Sequence, residues 1–119
     1  MELTVTSIDK FKVIKPFGRV DWENARVIDR EIQHLIDEGH CNIVLNLDDI
    51  TFICSGGIGA LVYNHNKMEK IGGAIYIIAD NEYVQYIFEM LKFDIAFEGY
   101  LYKKFEDFSA AVLDKAREA

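Results

Sequence analysis

The sequence predicts an α/β domain built on a mixed, mostly parallel β-sheet, with an antiparallel hairpin at its start and about four helices. Two alternating segments open the chain, 3–8 and 11–17, and only two residues separate them. Two later segments, 42–47 and 74–78, are apolar at nearly every position, which is typical of strands buried on both faces. Segments with apolar residues three or four positions apart lie between these strands, so strands and helices alternate along the chain.

The composition indicates a single domain over residues 1–119. Half of the 119 residues are hydrophobic, which is enough for one core and fits one domain better than two. The formal net charge is -7, from 20 acidic and 13 basic residues, and no block of Lys or Arg is present. We therefore expect no nucleic acid and no membrane among the partners of this chain.

The first residues lack the positive and apolar regions of a signal peptide, and no apolar run approaches the roughly 20 residues that cross a bilayer. A cytoplasmic protein is therefore expected. Cys41 and Cys54 flank the predicted strand 42–47, whose extended residues, at about 3.3 Å each, would hold the two sulfur atoms beyond disulfide reach. Both cysteines are therefore predicted to be free thiols.

The first helix follows the hairpin. Pro16 cannot donate a ladder hydrogen bond, so the second strand should end there, and the chain then turns over 18–21. Asp21 is the predicted N-cap, and Gly39 is predicted to end the helix in the left-handed conformation. One buried stripe is expected along this helix, formed by Trp22, Ala25, Ile28, Ile32, Leu35 and Ile36.

The second helix is predicted to continue from Ile58 to Ile71, where Gly72 and Gly73 stop it. Strand 74–78 then completes a strand-helix-strand unit, which should pair in parallel with a right-handed crossover.

The third helix is predicted to begin after Asn81 as its N-cap, with a core stripe of Val84, Ile87, Phe88 and Leu91. A second apolar stripe is formed by Tyr83, Tyr86 and Met90. Burial in the core is the favoured explanation for this second stripe, and a partner surface is the alternative. A short last strand is expected at 95–97, followed by a final amphipathic helix with apolar residues at Phe105, Phe108, Val112 and Ala116.

The junction between the third strand and the second helix is the part of the chain best suited to a function. A loop over 48–53 leads into the helix start, where Ser55 supplies a hydroxyl. The first N–H groups of a helix have no partner inside it and attract negative charge, so a phosphate on Ser55 would be well received. The local sequence fits an ordinary N-cap as well, and the two roles are compatible.

The glycines around Ser55 do not indicate a nucleotide site. The run Ser55-Gly56-Gly57-Ile58-Gly59 has no Gly-Lys-Ser/Thr ending and lacks the spacing of a dinucleotide fingerprint. A nucleophile elbow would need glycine where Ile53 stands. Gly56 and Gly57 are instead expected to let another backbone approach the serine, and Gly59 to let the helix pack closely on the sheet. No cofactor is expected.

A Cys54-dependent enzyme is the main catalytic alternative, because a helix N-terminus can activate a thiol. No base is visible near Cys54, and His65 is expected to be a packed side chain of the second helix. His34, His40 and Cys41 do not form a convincing metal set, since no fourth ligand lies near them. We therefore predict neither catalysis nor a metal site.

The segment Asn46-Leu47-Asp48-Asp49-Ile50-Thr51-Phe52-Ile53-Cys54-Ser55-Gly56-Gly57-Ile58-Gly59 resembles the signature of STAS domains, specifically that of bacterial anti-sigma factor antagonists. The similarity extends along nearly the whole chain. Gly18-Arg19-Val20-Asp21 resembles the Gly-x-Leu-Asp turn before the first helix of that family, and Gly72-Gly73 resembles the pair before its fourth strand. The resemblance implies a STAS-type α/β domain.

The core motif of that family is Asp-Ser-Ser-Gly-Leu-Gly. Its first serine, which Ser55 matches, is phosphorylated by a partner that is both an anti-sigma factor and a serine kinase. The resemblance implies that the unphosphorylated form binds this kinase and frees a sigma factor, that phosphorylation breaks the complex, and that a phosphatase resets it. The protein would then be a switch and not an enzyme. Its partner-binding residues would be Asp21, Cys54, Gly56, Gly57 and Ile58.

Two departures from the family motif change its polar groups. Cys54 stands in place of the acidic residue and Gly56 in place of the second serine, whereas Asp21 is retained. A carboxylate and a hydroxyl are thus missing beside Ser55. The alternative function is a STAS module that docks without phosphorylation, as a scaffold of a signalling complex or a sensor of a small ligand.

Overall fold

The computed structural model describes residues 1–118. Its strands are β1 (Leu3–Ile8), β2 (Phe11–Pro16), β3 (Gly18–Val20), β4 (Asn42–Asn46), β5 (Ile50–Ile53), β6 (Ala74–Ile78) and β7 (Leu101–Tyr102). Its helices are α1 (Trp22–Asp37), α2 (Ser55–Lys70), α3 (Glu82–Met90), α4 (Phe93–Ala96), α5 (Phe105–Phe108) and α6 (Asp114–Glu118), and a π-helical turn at Ser109–Leu113 joins the last two.

Five strands form the main sheet, in the order β1-β2-β4-β6-β7. The hairpin β1–β2 is antiparallel, and the pairs β2–β4, β4–β6 and β6–β7 are parallel. The predicted mixed, mostly parallel sheet with an N-terminal hairpin is confirmed. A separate two-stranded parallel sheet joins β3 to β5.

The central strands alternate between two cores, which explains why they are apolar at nearly every position. In β4, Ile43 and Leu45 belong to the core that the first four helices cover, whereas Val44 packs in a second core with Phe108 and Leu113. Burial of one such aliphatic side chain stabilises the fold by about 1.5–3 kcal/mol relative to exposure. Helices therefore cover both faces of the sheet, with the C-terminal helices on the second face.

The predicted helix boundaries hold where capping residues mark them. The Asp21 carboxylate accepts hydrogen bonds from the backbone N–H groups of Glu23 and Asn24, at 3.1 and 3.0 Å. Gly39 follows α1 with φ of 94°, in the left-handed region. Asn81 caps α3 through the N–H of Tyr83, at 2.9 Å. The two cysteines are free thiols, as predicted.

Three strand predictions are wrong. The turn predicted at 18–21 and the loop predicted at 48–53 contain β3 and β5, which pair with each other. Strands of three and four residues are too short to show a period. The strand predicted at 95–97 is the one-turn helix α4 and its C-cap, because Lys92 turns the chain with φ of 58° after α3. The last strand comes later, at β7.

Several apolar residues predicted for the core lie at the surface. Leu91, predicted in the core stripe of the third helix, is the C-cap of α3 and is 42% exposed. Trp22 is 73% exposed, because it begins α1 and the buried stripe starts only at Ala25. On α3, Tyr86 and Met90 are 56% and 60% exposed. The preferred explanation of that second stripe, burial in the core, is wrong for these two residues because Val84 and Phe88 occupy the core-facing side.

Within residues 1–118, every helix falls short of the length and apolar character of a membrane span.

Gly59 and Gly73 have opposite surroundings. A Cβ atom on Gly73 would overlap the carbonyl oxygen of Cys41, which accepts the Ala74 N–H at 2.9 Å. At Gly59 nothing lies within 4 Å of such an atom, so the prediction that Gly59 allows close packing on the sheet is wrong.

We expect Gly73→Ala to lower the free energy of unfolding by about 2 kcal/mol or more, because the backbones leading into β4 and β6 must separate. Urea denaturation measures this change. Gly59→Ala is the matched control, and it should raise stability by up to about 1 kcal/mol because alanine favours the helix. A Gly73→Ala protein as stable as the wild type would contradict the close approach.

Candidate functional site

The pairing of β3 with β5 brings the starts of two helices together. Val20 is opposite Ile53, and the N–H of Cys54 donates to the carbonyl oxygen of Val20 at 3.0 Å. The two strands are parallel, and each leads within two residues into a helix. The N-termini of α1 and α2 therefore lie side by side. Asp21 and Cys54 occupy equivalent positions, one residue before each helix.

Cys54 is the N-cap of α2, so the prediction of Ser55 as the N-cap is wrong. The backbone of Cys54 is extended, and its Sγ accepts a hydrogen bond from the N–H of Gly57 at 3.2 Å. Ser55 is the first helical residue, and its side chain is exposed. The helix begins one residue earlier than the serine pattern suggested, which leaves the hydroxyl outside the cap.

The glycines after Ser55 have different neighbours. A Cβ atom on Gly57 would lie 3.3 Å from the side chains of Ile53 and Val20, so glycine keeps α2 tight against β3 and β5. On Gly56 the nearest atoms would be in the indole ring of Trp22, at 3.6 Å. Gly57 is buried, and the side chain of Ile58 is fully buried in the core. Ile58 is predicted to bind a partner, but its buried side chain does not reach the surface. It therefore supports the surface from beneath.

An aromatic pair borders the site. Trp22 and Tyr63 are 73% and 66% exposed, and they line a shallow groove of about 220 Å³ between α1 and α2, together with Gly56 and Ala60. Neither residue is predicted from the sequence as a surface feature. Tyr63 could have been found, because it lies off the apolar stripe of the second helix.

Side-chain hydrogen bonds fix α1 against α2. The amide nitrogen of Asn64, which is buried, donates to Asp29 at 2.7 Å and to the carbonyl oxygen of Ala60 at 2.9 Å. One turn further along, the Lys67 ammonium donates to Gln33 at 2.6 Å. Two polar contacts between α1 and α2 therefore fix the two helices that form the sides of the groove.

His65 is a packed side chain, as predicted. Its ring is buried against Phe97 and Tyr100, with centroid distances of 5.0 and 4.5 Å. Nε2 lies 2.7 Å from a Glu69 carboxylate oxygen, yet neither ring nitrogen forms a hydrogen bond of good geometry. Burial lowers the pKa of His65, and the nearby Glu69 carboxylate partly opposes that effect.

The candidate catalytic and metal residues are not assembled into a site. His65 follows Ser55 by ten residues along α2, which is about 15 Å. His34 is paired with Glu38, at 2.6 Å. In the part of the chain that the structure describes, no three His, Cys, Asp or Glu side chains are grouped to hold a metal ion.

Comparison with known proteins gives a consistent result. Residues 2–108 match the STAS domain family. Among curated relatives, BtrV of Bordetella bronchiseptica, which carries the name of an anti-sigma factor antagonist, is 25% identical over 93 residues. That match covers 78% of this chain and 80% of BtrV.

Solved structures are similar over nearly the whole chain. An anti-sigma factor antagonist from Mycobacterium paratuberculosis has a TM-score of 0.83 at 21% identity, over 95% of this chain and 94% of that one. The unphosphorylated form of SpoIIAA, an anti-sigma factor antagonist of Bacillus, has a TM-score of 0.72 at 18% identity, over 99% and 100%. The murine anion transporter Slc26a9 matches at 0.67 and 18% identity, over 94% of this chain but 18% of the transporter. At these identities the likeness establishes the fold.

The cap formed by Cys54 gives a test of the site. A thiol is a weak acceptor, whereas a carboxylate at an N-cap accepts strongly and interacts favourably with the helix dipole. We expect Cys54→Asp to raise the free energy of unfolding by about 0.5–1 kcal/mol, and Cys54→Ala to lower it by about 0.5 kcal/mol. Urea denaturation of the three proteins measures both changes, with Cys41→Ala as the control for loss of a thiol elsewhere. Equal stability of the Asp and Ala variants would exclude Cys54 as the cap.

Proposed function

The chain belongs to the STAS domain family, and we propose that it is an anti-sigma factor antagonist. It binds an anti-sigma factor that is also a serine kinase, and this binding frees a sigma factor. Phosphorylation of Ser55 switches the binding off. The observation that carries the proposal is the exposed Ser55 hydroxyl at the start of α2, where the family motif has its phosphorylated serine.

In the phosphorylation of Ser55, this chain supplies only the hydroxyl that accepts the phosphoryl group. The kinase transfers the γ-phosphoryl group of ATP to Oγ of Ser55, ADP leaves, and the hydroxyl proton passes to a base of the kinase. A phosphatase later hydrolyses the ester. The N–H groups in the first turn of α2 interact favourably with the added charge of about -2, so phosphorylation does not disrupt the helix.

Charge explains why the phosphorylated form would dissociate. A partner surface that fits the unmodified serine buries a neutral hydroxyl, and a phosphate there would have to lose its water without a matching cation. The Asp21 carboxylate at the neighbouring helix start has the same sign as the phosphate. Asp21, Cys54 and Gly56 are therefore proposed as the accessible part of the docking surface, with Gly57 and Ile58 holding its shape.

The departures at Cys54 and Gly56 favour a second candidate, a STAS module that docks without being phosphorylated. The thiol of Cys54 supplies no carboxylate beside Ser55, and Gly56 supplies no second hydroxyl. A domain of similar fold also occurs within the chain of the murine anion transporter Slc26a9. In either function we propose a binding protein and not an enzyme, because Cys54 serves as the cap and His65 lies about 15 Å along the helix from Ser55.

Mass spectrometry after incubation with the anti-sigma factor kinase of the same organism and ATP tests the assignment. We expect one phosphate on the wild type and none on Ser55→Ala, because the exposed hydroxyl of α2 is the acceptor. Ser7→Ala is the matched control, since Ser7 is also exposed but lies in β1, and it should still receive one phosphate. Phosphate on Ser55→Ala would exclude Ser55 as the acceptor, and an unmodified wild type that still binds the kinase would favour the scaffold function.

A further inference from the structure

The groove between α1 and α2 carries two aromatic side chains that are largely exposed to solvent. Trp22 and Tyr63 are the two most exposed large apolar side chains at this face, at 73% and 66%. Tryptophan and tyrosine are enriched among residues that carry most of the binding energy in protein interfaces. Trp22 also lies close to Ser55, because its ring packs over Gly56.

The groove continues along α2 toward a basic end. Tyr63 borders both the groove of about 220 Å³ and a second depression of about 310 Å³, which Asn66, Lys67 and Lys70 line. Gly56 and Lys70 are fourteen residues apart, so the whole surface is about 21 Å long. This length fits an α-helix of about four turns.

The charge of this surface is opposite to that of the chain. The net charge is -7, yet the groove and its continuation carry the basic side chains of Arg26, Lys67 and Lys70. The one carboxylate here, Asp29, already accepts a hydrogen bond from Asn64. Within residues 1–118, neither Arg26 nor Lys70 forms an ion pair. The surface is therefore complementary to a partner that carries carboxylates.

We infer that this surface binds an acidic amphipathic helix of the anti-sigma factor partner. An apolar side chain of that helix packs between Trp22 and Tyr63, and its carboxylates lie toward Lys67 and Lys70. This inference rests on the proposed function, because it places the kinase on the same face as Ser55. It adds the chemistry of the contact and the residues that determine affinity.

A second apolar face on the molecule does not fit the same partner. On α3, Glu82 and Glu89 flank the exposed Tyr86, the exposed Met90 directly follows Glu89, and α3 carries no basic residue. An acidic helix would be repelled there. This face therefore supplies a matched control for the groove.

The test uses the single tryptophan of the chain. Labelling with 5-fluorotryptophan gives one ¹⁹F signal, from Trp22, whatever tryptophans the unlabelled kinase contains. Titration with the purified kinase should shift this signal. We expect Tyr63→Ala and Lys70→Glu each to weaken binding by about ten-fold. Tyr86→Ala and Lys115→Glu, which alter an exposed tyrosine and an exposed lysine on other helices, should change it less than two-fold.

Three results would overturn the inference. The first is a kinase that binds and phosphorylates the wild type without shifting the ¹⁹F signal. The second is equal loss of affinity in the groove and control variants. The third is a signal that shifts with the concentration of this chain alone, which would assign the groove to self-association. A kinase that neither binds nor phosphorylates the wild type would instead overturn the proposed function itself.

Discussion

The rest of the site depends on the parallel pairing of two very short strands. The hydrogen bond from the Cys54 N–H to the Val20 carbonyl, at 3.0 Å, is the last one of this pairing. A helix begins within two residues of the end of each strand. Gly57 makes the arrangement possible, since a side chain there would press on Val20 and Ile53 from 3.3 Å. The consequence is that two helix N-termini, two capping residues and the exposed serine share one small surface.

The position of the α2 start beside α1 also explains how Cys54 and Gly56, two departures from the family motif, act on the same surface. Because Cys54 replaces the aspartate of the family motif, one negative charge is absent beside Ser55. Gly56 has no side chain, so the helix backbone is uncovered at that position. The Trp22 ring packs there, at 3.6 Å from the position of a Cβ atom. An aromatic contact thus stands where the family has a polar side chain. The surface around the serine combines a charge-sensitive position with an apolar anchor.

The sequence predicted features that depend on strong local signals. The two-sided burial of β4 and β6 follows from continuous apolar runs, and the caps Asp21 and Asn81 follow from side chains that accept backbone N–H bonds. The strands β3 and β5 were missed because their stability comes from a partner distant in sequence, which no local pattern records. The exposure of Trp22 was missed for a similar reason, since helical spacing does not reveal where a helix passes the end of the core.

We propose that the state of Ser55 controls binding of the anti-sigma factor kinase. Isothermal titration calorimetry measures this control, first of the kinase with the unmodified chain and then with the same chain phosphorylated at Ser55. We expect the phosphorylated form to bind at least about ten-fold more weakly, because a charge of about -2 is brought into a contact that fits a neutral hydroxyl. Equal affinity of the two forms would contradict it.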